Sequence, residues 1–272
     1  IISRLNEFIE ARGSSTSPLQ SFAIRDARLA MYDEATGLFV VAPRAALVVR
    51  GKTGAIAATF DADIEISGHG GHVKGDLLVP NAAGPVTGSI AVTGLDLSAL
   101  GQNAAPFAPF KKVPLVTDLS ARFAAQGGHL ESADFDAVAH GTVAGLDRLH
   151  PLHIAGLRVA GRYDGVHHLL MLDRASLMAR EVQAQMKGSG QFVYDAAGKL
   201  DHVHGEITVS RLSLDVAGLF AAPVQFSQLH AAADYHPASG VIDIAHAALT
   251  ANGLALAAAG RVTLVDGKAP GL

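Results

Sequence analysis

The chain has 272 residues, 49% of them hydrophobic, with a net charge of −4 and a mean hydropathy of +0.29. With no basic run longer than Lys111-Lys112 it lacks the footprint of a nucleic-acid partner. The absence of cysteine excludes disulfides and thiolate metal or redox sites. No stretch reaches the roughly 18 apolar residues that a membrane-spanning helix needs. Aromatic residues make up only 6% and tryptophan is absent. The apolar material is therefore Ala, Val, Leu and Ile, which suits a thin sheet or a smooth lining better than a thick aromatic core.

Ile1, Leu5, Phe8 and Ile9 share one face at helical spacing, which predicts a short N-terminal helix over residues 1–12. Gly13 to Pro18 ends it as a flexible joint, so residues 1–20 form a helix and linker. No part of this sequence has the pattern of a signal peptide, and targeting information is expected to lie outside it. The opening Ile1-Ile2 and the closing Ala269-Pro270-Gly271-Leu272 are expected to be cuts through a longer polypeptide. From Ser21 onward the pattern is β. Phe60, Ala62, Ile64 and Ile66 alternate with Asp61, Asp63 and Glu65, giving a strand with one apolar and one wet face. Similar runs cover 88–93, 206–210, 241–245, 254–258 and 261–265. Gly68-His69-Gly70-Gly71, Asn252-Gly253 and Asp266-Gly267 are the expected turns between them. Residues 176–186 could be helix, but Gly188-Ser189-Gly190 and the alternation around it favour strand.

Repetition organises the chain. Tyr32, Tyr163 and Tyr235 open similar turn phrases, each followed by an apolar run and an Ala/Leu pair (Ala45/Leu47, Ala175/Leu177, Ala247/Leu249). Tyr194 opens a fourth turn of the same chemistry. Ile90-Ala-Val92-Thr-Gly-Leu95-Asp-Leu97 matches Ile207-Thr-Val209-Ser-Arg-Leu212-Ser-Leu214 at every apolar position. Both slip parity between Val and Leu, which predicts a bulge in each. Pro-rich residues 104–115 are expected to be a joint between a first β unit (21–103) and second and third units (116–272), because Pro cannot donate to a ladder.

Candidate chemistry is thin. Among 13 histidines, His69/His72, His150/His153, His167/His168 and His202/His204 are close pairs. None has a carboxylate or third histidine at convincing metal-ligand spacing, so no metal site and no cofactor is expected. Asp61/Asp63 and Asp134/Asp136 could be imagined as glycosidase carboxylates. Strand alternation explains them more simply as a wet face. No nucleophile elbow, phosphate loop or dinucleotide fingerprint occurs, and the chain is not expected to be an enzyme. What remains is the apolar face itself: Phe60, Ile64, Ile66, Ile90, Val92, Ile207, Val209, Leu254 and Leu256. These residues line either a closed β-sandwich core or an open trough that shelters acyl chains, each CH₂ contributing roughly 0.8 kcal/mol.

The segments Phe22-Ala-Ile-Arg-Asp-Ala-Arg-Leu-Ala-Met-Tyr32-Asp-Glu-Ala-Thr-Gly37 and Gly88-Ser-Ile-Ala-Val-Thr-Gly-Leu-Asp-Leu97, with the recurring Tyr-Asp hairpins, resemble the AsmA-like family of Gram-negative envelope proteins, notably its large YhdP-type members. The resemblance covers most of the chain from Ser21. It implies a long, curled all-β antiparallel sheet with an open apolar groove, lying in the periplasm. It also implies an inner-membrane anchor outside this chain, phospholipid acyl chains as partners, and passive lipid movement from inner to outer membrane. The chain is far shorter than a bridge between membranes needs, so it reads as a segment or a short relative. Two other readings stand beside this one. The first is a scaffold that pairs its edges with outer-membrane proteins during their assembly. The second is a β-solenoid enzyme or adhesin acting on polysaccharide, against which the scarcity of aromatics argues.

Overall fold

A computed structural model describes residues 21–34, 36–80, 84–144, 151–195, 200–215, 222–251 and 254–263. The expected helix and linker at 1–20 and the Asn252-Gly253 and Asp266-Gly267 turns lie outside these residues. The described chain is one open antiparallel sheet of fifteen strands, not closed into a barrel. The strands run β1 (Ser21–Asp33), β2 (Leu38–Lys52), β3 (Ala55–Ile66), β4 (His69–Pro80) and β5 (Val86–Asp96). After a helical insertion come β6 (Leu115–Gln126), β7 (His129–Ala144), β8 (Pro151–Asp164), β9 (Leu169–Ala179) and β10 (Val182–Tyr194). The last five are β11 (Leu200–Leu214), β12 (Val224–Phe226), β13 (Gln228–His236), β14 (Val241–Ala251) and β15 (Leu254–Thr263). Fourteen of them pair in chain order, and β12 adds a short patch on the end of β11 beyond β13.

Alternation and turn chemistry account for this meander. Each tyrosine stands at or next to the last residue of a strand, in β1, β8, β10 and β13. Residues 176–186 are the β9–β10 hairpin. The two parity slips are bulges: the register shifts between Val92 and Leu95 on β5, and beside Ser210 on β11, where Met186 pairs Val209 but Gln185 pairs Arg211. The turn expected at Gly68–Gly71 is shorter than the glycine count suggests. Only Ser67 and Gly68 adopt positive φ, 50° and 79°, and they make a two-residue hairpin turn. His69, Gly70 and Gly71 already belong to β4. The runs at 254–258 and 261–265 are not separate strands. β15 continues through Gly260, which pairs Ile244.

The Pro-rich segment folds as an insertion. Helix α1 (Leu97–Asn103) is capped by the Asp96 carboxylate, which accepts from the Ser98 and Ala99 N–H groups at 2.8 and 3.3 Å. A 3₁₀ segment, Ala105–Lys112, follows with Pro in its first turn. β5 and β6, on either side of it, remain hydrogen-bonded neighbours, so the sheet runs on without a break. Ala99 and Leu100 pack on Ile66, with Leu38, Val40, Ile64 and Leu95 around them. Leu97 also touches the neighbouring cluster of Leu115, Ala139 and Ile154. The insertion thus covers the apolar face at one end of the strands.

Elsewhere that face carries no helix among the described residues; Val49, Ala175 and Val209 are buried there by their neighbours, while Ile207 and Leu256 are exposed. The accessible surface is 17301 Å², against about 11,000 Å² for a compact globular chain of this mass. Glycines set the curl. A Cβ on Gly75, Gly88, Gly161 or Gly188 would run into a carbonyl oxygen of the adjacent strand (Ser89, Asp76, Met171 and Glu206 respectively). At these points neighbouring backbone rises on the side to which the missing side chain would point, so the sheet creases there. The rings of Phe60, Phe123 and Phe135 lie close to Gly75, Gly88 and Gly161, replacing the contact area that glycine lacks. Gly75→Ala is expected to destabilise the protein by about 1–3 kcal/mol through overpacking. Gly260→Ala, where an added Cβ meets nothing within 4 Å, is the matched control. Thermal unfolding of both variants checks this.

Candidate functional site

Residues opposite one another in an antiparallel ladder project to the same face, so the register defines which side chains share a surface. One row can be followed across all fourteen consecutively paired strands: Ala27, Ala45, Ala62, Val73, Val92, Leu119, Ala137, Val159, Ala175, Met186, Val209, Leu229, Leu249 and Leu256. Every member is apolar. At a strand spacing of about 4.8 Å the row is about 60 Å long along the curled sheet.

The sequence-predicted residues whose side chains are described fall on this face; of Leu254 only the backbone pairing is described. Val92, Val209 and Leu256 are in the row itself. Phe60, Ile64 and Ile66 flank Ala62 at even spacing on β3, and Ile90 reaches Phe60 through Gly75. Ile207 lies two residues from Val209, and Leu254 pairs Ala251 at the start of β15. They differ in what covers them. Ile66 is 4% exposed, beneath α1, and Val92 and Val209 are also buried. Ile207 and Leu256 are 39% and 53% exposed. At the other edge Phe22 and Met31 on β1 are exposed too; Phe22 pairs Val49 and Met31 pairs Val40. The groove is therefore covered at one end of strands β2, β3, β5 and β6 and open toward both edge strands. The α1 cover has no signal in hydropathy alternation, because Leu97 and Leu100 were readable only as continuation of a strand pattern.

The opposite face is polar and laced with cross-strand pairs. Arg44 reaches Asp63 at 2.8 Å, Arg158 reaches Asp136 at 2.6 Å, and Arg162 reaches Asp173 at 3.3 Å. The histidines singled out in the sequence meet carboxylates here. His72 lies 3.0 Å from Asp63 and 3.6 Å from Asp61; His69, which pairs Ile66 and so shares the apolar face, lies 3.0 Å from Asp96 at the start of α1. His167 lies 2.8 Å from Asp164, His202 lies 2.9 Å from Asp201, and His204 lies 2.9 Å from Asp234. His69 and His72 stand on β4 rather than in a turn. His153 faces Thr142 at 3.3 Å, while His150 lies outside the described residues. Spacing along the chain could not show the carboxylates of His72 and His204, because they come from neighbouring strands. Asp61 and Asp63, and likewise Asp134 and Asp136, are polar-face neighbours within one strand. Among the described residues no group of three or more histidine or carboxylate side chains is arranged to hold a metal ion.

A hollow of about 590 Å³ opens on this polar face between β3 and β7. Two adjacent polar rows flank it, one of Thr59, Asp76, Ser89, Arg122 and Asp134, the other of Lys74, Ser120 and Asp136, and Phe60, Ile90, Ala121 and Phe135 of the row between them also line it. The apolar neighbours Leu77, Val92 and Phe123 do not line it.

The ion pairs set a pH dependence. The hydrogen bond from His72, then the Arg44 charge, hold the Asp63 carboxyl below its usual range despite some desolvation. His167 does the same for Asp164, and Arg261 for Asp243. Burial would raise Asp96, but hydrogen bonds from Ser98 and Ala99 outweigh it and the carboxyl is lowered. A carboxylate with a depressed folded-state value stabilises the fold fully above its unfolded value of about 3.9. That contribution is lost as pH falls through the folded value. Urea midpoints are therefore expected to stay flat from neutral pH to about 5 and to fall below about 4. Asp243→Asn should reduce the acid-side slope.

No family model, curated protein or solved structure matches this chain. No helix among the described residues is long and apolar enough to cross a membrane.

Proposed function

We propose that the apolar face is a groove that shelters the acyl chains of phospholipids while their headgroups stay in water, and that the chain is a segment of an AsmA-like lipid-transfer protein. The observation that carries this reading is the unbroken apolar row across fourteen strands, on a face exposed at Leu256 within the row and at Ile207 beside it. Burying each CH₂ contributes roughly 0.8 kcal/mol without any directional contact, so a smooth aliphatic lining holds a chain and also lets it slide. The mechanism is passive. Small side chains such as Ala45, Ala137 and Ala175 keep the floor shallow and even. As the sequence resemblance implies, the setting is the Gram-negative periplasm, with anchorage in the inner membrane through a region outside this sequence and delivery toward the outer membrane.

A second reading has one observation of its own. Among the described residues β1 and β15 each pair on only one side, and such edges can add a strand from an assembling outer-membrane protein. Photo-crosslinking in cells separates the two. A crosslinking residue replaces Ile207 or Leu256 on the apolar face, with Thr208 and Ala257 as polar-face controls. Lipid adducts at the first pair alone are expected. Adducts to protein alone at Ile207 and Leu256 would overturn the lipid reading and favour the scaffold.

A further inference from the structure

We infer that His230 and His246 form a binding site for a divalent transition metal such as Zn²⁺ or Cu²⁺ on the polar face of β13 and β14. Nδ1 of His230 lies 3.3 Å from Nε2 of His246, with ring centroids 4.9 Å apart and an interplanar angle of 37°. In a tetrahedral zinc centre with Zn–N bonds of about 2.0–2.1 Å, two ligating nitrogens stand about 3.3 Å apart. The pair already has that bite. In the metal-free protein one neutral ring donates its N–H to the other. Binding shifts that ring to the tautomer with its proton on the outer nitrogen, so both facing nitrogens ligate and no net proton is lost.

The register explains why these two side chains meet. His230 pairs Ala248 and His246 pairs Ala232, so they are diagonal neighbours across the ladder. The shift between Ala232 and Ala233 turns His246 onto the polar face. Small residues at Ala232 and Ala248 leave room above the strand pair. The neighbouring histidine pair, His202 and His236, differs in kind. Its ring centroids are 5.5 Å apart, and each ring faces a carboxylate, Asp201 at 2.9 Å and Asp243 at 3.7 Å. Among the described residues, His230 and His246 have no such carboxylate partner and their facing nitrogens meet only each other. The chain contributes two imidazoles, and water completes the coordination. Neutral imidazole ligation favours Zn, Cu and Ni over Mg and Ca. The site lies on the face opposite the apolar row, so it stands independently of the lipid reading. A bound ion would clip β13 to β14 beside the β15 edge and stabilise that hairpin by mass action.

Calorimetric titration of the full chain with Zn²⁺ tests this, with Cu²⁺ electron paramagnetic resonance to count coordinated nitrogens. One saturable equivalent is expected, carrying two imidazole nitrogens in the Cu²⁺ spectrum. His230→Ala and His246→Ala should each weaken binding by about tenfold or more, with circular dichroism unchanged because both side chains sit at the surface. His202→Ala should leave it intact. Absence of saturable binding to the unmodified chain, or equal affinity in His246→Ala, would overturn the site.

Discussion

Ile66→Asp is expected to destabilise the protein by about 3–5 kcal/mol, the range for an uncompensated buried charge. Ile66 is 4% exposed and is pinned between the end of β3 and the Ala99 and Leu100 face of α1. The adjoining apolar side chains are Leu38, Val40, Ile64, Leu95 and Phe107, none of which can donate a hydrogen bond, and His69, opposite Ile66 on β4, already faces Asp96 at 3.0 Å. An aspartate there either ionises without a partner or expels α1 from the sheet. Expelling it would also expose Leu97, which joins this cluster to that of Leu115, Ala139 and Ile154. Ile66→Ala removes the same side chain without adding charge and should cost about 2–5 kcal/mol through the cavity. Denaturant midpoints measure both. A variant with Ile66→Asp that unfolds at the midpoint of the unmodified chain would mean that α1 does not rest on β3.

Ile207→Asp combined with Leu256→Asp is expected to leave the fold intact and to remove acyl-chain binding. Both residues share the apolar face with Val209, yet they are 39% and 53% exposed, so their charged replacements remain hydrated and cost the fold little. A lipid chain lying over them would instead have to desolvate two carboxylates. Displacing even three CH₂ groups from the groove loses roughly 2.4 kcal/mol, and that corresponds to about a sixtyfold weaker complex. Displacement of a fluorescent phospholipid reads this directly. Full-strength binding by the doubly charged variant, with an unchanged melting curve, would refute the groove. The Ile66 and Ile207 variants thus separate two roles that one hydrophobic pattern had merged, a side chain sealed under a cover and a side chain left open.

Much of the architecture was legible because strand alternation is local. The Phe60–Ile66 run declared its two faces, and the Val92/Leu95 and Val209/Leu212 slips declared their bulges. The tyrosines marked strand ends. Glycine was read less well. Local pattern places the Gly70-Gly71 pair in a turn, yet both belong to β4 and only Ser67-Gly68 turns. Gly75 and Gly161 do their work across strands, against Ser89 and Met171, where no local pattern announces them. The Pro-rich segment reads as a joint between β units because Pro cannot enter a ladder. It left the ladder by packing back onto the sheet.

By itself the sequence determined which side of each strand is apolar, because side chains alternate with period two whatever the strand pairs with. It also determined that the polar side carries acids and histidines. Only the tertiary structure decided how those sides join. Register between strands aligned single apolar residues into one row from Ala27 to Leu256, and it brought His72 to Asp63 and His204 to Asp234. It also set His230 beside His246. These contacts depend on pairing between residues distant in the chain, and such pairing is fixed by the sum of many hydrogen bonds and glycine creases rather than by any one segment.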